Sequence, residues 1–161
     1  RIPGFNFRTT EINSAIGLAQ LKKLTNIVKN NKRNYNIIIK KISKIKKIKF
    51  RKIPKKCTPL YDCLIFKVSS RKVAKKFTEL MIQNNLNTKN LPDAIEWHFA
   101  KHWIHILKRF GYTKQKLNKL FVRSSNILER CVAISISSIK NDKKSKKISN
   151  KIFAIAKQLN L

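Results

Sequence analysis

Two places in the chain gather side chains able to do chemistry. The first is Asn6 and Arg8, in a polar loop just ahead of an amphipathic stretch. There a neutral amide, a guanidinium and the free backbone amides of a helix start can meet an anion. The same residue types also serve as an ordinary helix cap and a surface arginine. The second place is the run from Leu91 to His105. It holds all three histidines, His98, His102 and His105, and both tryptophans, Trp97 and Trp103, with Glu96 beside them. The histidines have spacings that a helix could bring toward one metal. Against that, Leu91-Pro92 precedes a segment with strand character, and no Glu lies between paired histidines in the metalloprotease pattern. No metal is therefore expected. Two other readings stand side by side. Half-buried aromatics can pack on a small sheet, or the cluster can form a wall facing a sugar, with Trp97, His98 and His102 as the contacts. Aromatic faces suit the apolar side of a pyranose ring, and imidazole hydrogen-bonds hydroxyls at neutral pH.

These residues need elements to position them. From Thr10 onward, Ile12, Ala15, Ile16, Ala19, Leu24, Ile27, Val28, Tyr35, Ile38, Ile42 and Ile45 recur at three- and four-residue steps, which predicts one long amphipathic helix to about Lys47, bent near Asn30-Asn31. Thr9 or Thr10 caps its start, Glu11 complements the positive helix end, and Gly17 inside it suggests close approach by another backbone. Phe50 to Pro59, with Pro54, Pro59 and a run of basic residues, cannot sustain a helix and marks the internal boundary. Beyond it the pattern predicts a strand over 60–68, a helix over 71–84 capped by Ser69 or Ser70, a strand over 95–99, a short helix over 124–130, a strand over 131–137 and a closing helix over 144–159. That order fits a small α/β domain with helices covering a short sheet.

A chain of 161 residues with 42% hydrophobic content can bury one core. It starts at Arg1 rather than Met, so a true N-terminus lying further upstream is expected, and no secretion signal is legible. Lysines interrupt every isoleucine-rich segment, so no stretch approaches the roughly 18 apolar residues of a membrane span. Cys57, Cys63 and Cys131 are odd in number and lack paired zinc spacing, which favours reduced, buried thiols in a cytoplasmic protein. The 38 Lys+Arg against 7 Asp+Glu give a formal net charge of +31, which ordinarily points to nucleic acid or an anionic membrane. The basic residues are instead scattered from Lys22 to Lys157 among many Ile and Asn, the bias of a genome poor in G and C. A non-enzymatic basic module binding nucleic acid or another polyanion is the alternative this charge leaves open.

The order Gly4-Phe5-Asn6-Phe7-Arg8, then Thr9-Thr10, Glu11-Ile12 and Ala15-Ile16-Gly17-Leu18-Ala19-Gln20-Leu21, resembles the loop-to-helix signature of the DegT/DnrJ/StrS family of pyridoxal-phosphate-dependent sugar aminotransferases. Thr9 stands where a methionine is usual and Asn13 where a glutamine is usual. The resemblance implies the C-terminal part of such an enzyme: residues 1–49 as signature loop and long helix joining a large domain, and residues 50–161 as the small C-terminal α/β domain of a fold-type I aminotransferase. It implies a homodimer in which the asparagine at Asn6 reaches the cofactor phosphate of the partner subunit, with Arg8 structural or at the rim of the active site. It also implies amino transfer, usually from glutamate, to a keto sugar destined for surface polysaccharide. The Leu91-Pro92-Asp93-Ala94 and Trp97-His98-Phe99-Ala100 stretches resemble the branch acting on an eight-carbon octulosonate, although Lys101, His102 and Ile104 depart from it. Transamination needs a Schiff-base lysine, an acid for the pyridine nitrogen and a phosphate cradle. With 30 lysines and three glycines in the chain, none is assignable. The resemblance puts that lysine upstream, so the segment alone is expected to be inactive.

Overall fold

The computed structural model describes residues 9–86, 88–90, 99–136, 139 and 141–161. The amphipathic stretch at the start forms two helices, α1 (Glu11–Leu21) and α2 (Leu24–Ile42), rather than one. Thr10 caps α1 by accepting a hydrogen bond from the Asn13 amide, and Glu11 lies in the first turn. The interruption falls at Lys22-Lys23, not near Asn30-Asn31. The amides of Asn31 and Asn34 are engaged with distant carbonyls, Leu60 O at 3.1 Å and Ile139 O at 2.9 Å. They therefore do not compete with the helix backbone. Helix α2 also stops short of Lys47, because tight turns after Ile42 swing Ile45 and Ile48 into the core.

The rest of the chain builds a four-stranded sheet in the order β1-β2-β4-β3: β1 (Lys49–Phe50), β2 (Cys63–Lys67), β3 (Thr88–Asn90) and β4 (Cys131–Ser135). All pairings are antiparallel, with Leu64 opposite Ile134, Phe66 opposite Val132 and Thr88 also opposite Ile134. The strands expected over 60–68 and 131–137 correspond to β2 and β4. Strands β1 and β3 are two and three residues long and carry no periodicity of their own. Of the strand expected over 95–99 only Phe99 is described, and it leads straight into a 3-10 turn, Ala100–His102.

Helices cover one face of the sheet. Along β2, buried Leu64 and Phe66 alternate with half-buried Cys63, Ile65 and Lys67, as a period of two requires. Against the buried side lie α3 (Arg71–Gln83), which Ser70 caps through the Val73 amide, and the closing helix α7 (Asp142–Gln158), capped by Asn141. Helix α2 packs alongside α7 and joins the same core through Ile38 and Ile42. At its centre Phe66 and Phe77 meet edge to face at 5.2 Å. Between β3 and β4 the chain forms short helices, α4 (Ile104–Leu107), α5 (Lys114–Leu120) and α6 (Val122–Leu128), with Gly111 at φ 76° closing the turn ahead of α5. No described helix is long and apolar enough to cross a membrane.

Candidate functional site

Asn6, Arg8, Trp97 and His98 lie outside the described residues. What the structure does describe is the frame that carries them. The segment holding Asn6 and Arg8 precedes α1, a helix with no buried residue. Ile12 is 72% and Ile16 55% exposed, Ala19 is exposed, and Leu24 and Ile27 extend the apolar row beyond the interruption. Apolar surface at helical spacing with nothing against it is the mark of a contact face. Gly17 lies on the same helix, and among the described residues nothing beyond that helix's own backbone lies within 4 Å of where its Cβ would stand. The close backbone approach expected at Gly17 is therefore not made by the described residues.

The second predicted cluster is anchored from below. Phe99 is buried and meets Phe121 edge to face at 5.3 Å, and Leu117, one helical turn before Phe121, is buried as well. From that anchor the chain makes one 3-10 turn, in which the His102 amide donates to the Phe99 carbonyl at 2.9 Å. Lys101 fixes the turn to α6 by donating from Nζ to the buried Ser125 hydroxyl at 3.1 Å. The result turns His102 outward: its ring is exposed and sits 5.8 Å from Phe99, tilted by 58°. Trp103, 36% exposed, and exposed His105 follow directly. A side chain held this way can donate to or accept from a hydroxyl of a bound molecule without disturbing the packing beneath. Among the described residues no group of three His, Cys, Asp or Glu could hold a metal ion.

The thiols separate rather than share one environment. Cys57 is exposed, against the expectation of buried thiols, because it falls in the proline-bounded linker. Cys63 is half-buried, and Cys131 is buried at the start of β4. Burial pushes the Cys131 thiol above its ordinary range, with Lys67 and Arg130 pulling the other way, and its Sγ donates to the Ile127 carbonyl.

Two concavities escaped the sequence reading. One, of about 690 Å3, lies between β1, β2 and α6 and is floored by Ile65, Ile127 and Cys131. The other, of about 540 Å3, lies between α7 and the turn that ends α3, with Lys144, Lys147 and Lys151 on its rim. Their spacing of three and four along one helix was the available signal, hidden among so many other lysines. A family model described as the DegT/DnrJ/EryC1/StrS aminotransferase family matches residues 1–153.

Proposed function

The chain belongs to the DegT/DnrJ/EryC1/StrS aminotransferase family, and from that premise we propose that it works as the C-terminal part of an enzyme moving an amino group, from glutamate, onto a keto sugar for surface polysaccharide. The sugar is nucleotide-linked or an octulosonate. Members of the family depend on pyridoxal phosphate, which when bound supplies the electron sink for amino transfer. Where side-chain burial is described, the buried polar side chains are neutral (Asn31, Asn34, Thr78, Ser125, Ser145 and Ser149) and the lysines are not buried. No step of the reaction is therefore assigned to them.

The observation that carries the proposal is the uncovered apolar face of α1, directly after the signature loop. In this reading residues 1–49 join a cofactor-bearing domain and residues 50–161 form the small domain of a fold-type I enzyme. Asn6 donates to the cofactor phosphate of a neighbouring subunit in a cytoplasmic homodimer, and Trp97, His98 and His102 face the sugar. The outward presentation of His102 on a turn pinned by Phe99 and Lys101 supports the last assignment.

The test is cofactor retention in the complete enzyme. Losing a hydrogen bond to a charged group costs about 1.5 to 3 kcal/mol, so Asn6→Ala should weaken retention roughly tenfold or more, with the dimer intact. Borohydride reduction and peptide mapping should place the modified lysine outside these 161 residues. Unchanged retention, or a dominant modified lysine within this chain, would overturn the proposal.

A further inference from the structure

The cavity of about 540 Å3 on the helix-covered side of the sheet has a composition that selects a ligand. Its floor is apolar: Leu86 and Ile134 belong to the buried core, and Ile148 packs against it. Its rim is cationic. Lys144, Lys147 and Lys151 stand at positions i, i+3 and i+7 of α7, which places them on one face. The seven residue steps from Lys144 to Lys151 span about 10 Å of helix.

Like charges at this spacing repel, and the usual remedy, an interleaved carboxylate, is absent from the described lining. The two ion pairs among the described residues, Arg33 with Asp142 and Lys76 with Glu79, use none of the three lysines. Lys151 is held at the lip, donating from Nζ to the Asn84 carbonyl at 2.7 Å. That contact leaves its ammonium two further donors, while Lys144 and Lys147 each keep three. The other polar groups of the lining, Asn85 and Ser135, are neutral, and a neutral oxygen satisfies an ammonium poorly compared with an anionic one.

We propose that this cavity is a binding site for a compact polyanion of the diphosphate class, inorganic pyrophosphate or an ester of it. A diphosphate presents several charged oxygens along its length, enough to engage three ammonium groups at once, whereas a monophosphate engages fewer. The apolar floor shields one side of the charges from water, so each contact counts for more than on an open lysine face. The volume lies in the range of small-molecule sites.

The experiment is a calorimetric titration of the 161-residue chain with pyrophosphate, and separately with phosphate, at about 0.15 M salt, where distant charges are largely screened. Saturable binding of one pyrophosphate per chain, tighter than phosphate, is expected. Lys144→Gln with Lys147→Gln should weaken it about tenfold or more, in line with the loss of charge-assisted hydrogen bonds. The comparison is Lys143→Gln with Lys146→Gln. It removes the same charge from the same helix at positions that do not line the cavity and should change affinity less than about twofold. All four side chains are exposed, so folding should survive. Methyl shifts of Leu86, Ile134 and Ile148 in the unsubstituted chain locate the ligand independently of any variant. Equal weakening by the two pairs, several ligands per chain, no saturation, or methyl shifts confined elsewhere would overturn the site and leave only diffuse attraction by a chain of net charge +31.

Discussion

Asn34→Ala should cost this small domain a large share of its stability, although Asn is a polar residue in the middle of a lysine-rich helix. Asn34 is only 1% exposed. Its Nδ2 donates to the Ile139 carbonyl at 2.9 Å and its Oδ1 accepts from the Ser145 hydroxyl at 3.0 Å, so one amide ties α2 both to α7 and to the segment after β4. Ile139 O can only accept, which fixes the orientation of the amide. Truncation orphans that buried carbonyl, at about 1 to 3 kcal/mol. The Ser145 hydroxyl retains the Asn141 carbonyl at 3.3 Å, so its loss adds under about 1 kcal/mol. The sum is about 1 to 4 kcal/mol, out of the roughly 5 to 15 kcal/mol a domain has in total. Ser145→Ala should cost about 1 kcal/mol. Asn34→Asp keeps the shape but offers Ile139 O no donor when ionised and buries an unpaired charge, so it should cost more than Ala. The assay is urea unfolding with unchanged slope. It should be repeated at about 1 M salt, where screening acts within about 3 Å and the net positive charge no longer rewards an added carboxylate. A cost below about 0.5 kcal/mol for Ala, the level of an ordinary surface change, or an Asp variant as stable as Ala, would refute the reasoning.

Ile12→Lys with Ile16→Lys should leave the unfolding of this chain unchanged within about 0.5 kcal/mol, since both side chains are exposed. The same pair should abolish assembly with a cofactor-bearing domain, measured by co-purification; a stability loss of several kcal/mol would show that α1 is packed after all. For the thiols, Cys57 should react with a disulfide reagent well before Cys131. Because burial raises the folded-state Cys131 thiol above its unfolded value of about 8.5, the folded chain holds a proton that the unfolded chain gives up. The stability this contributes is full below about pH 8.5 and is lost as pH rises through the higher folded value. Tyr35, also raised chiefly by burial, adds the same trend from about pH 10. Urea midpoints across pH 7 to 10 should fall, and Cys131→Ala should flatten the earlier part of the decline.

What the sequence alone determined was whatever is written in neighbouring residues. The period of 3.6 in α3 and α7 and the alternation in β2 are local, and so are the caps at Thr10 and Ser70. The order from Gly4 to Leu21 is local too, and it was enough for the family. Its match over residues 1–153 agrees with that reading. The apolar row of Ile12, Ile16 and Ala19 was legible for the same reason, while its exposure is a finding of the structure. The tertiary structure decided everything that depends on distant partners. Strands β1 and β3 exist because β2 and β4 present free edges to two or three residues that would form nothing alone. Asn30-Asn31 reads as a bend because asparagine competes with helix backbone when its amide is free. In the structure the partners of Asn31 and Asn34 lie 29 and 105 residues away. The lysine-rimmed cavity is the same case. Only the approach of the turn ending α3 to α7 sets three of the chain's 30 lysines around one apolar floor.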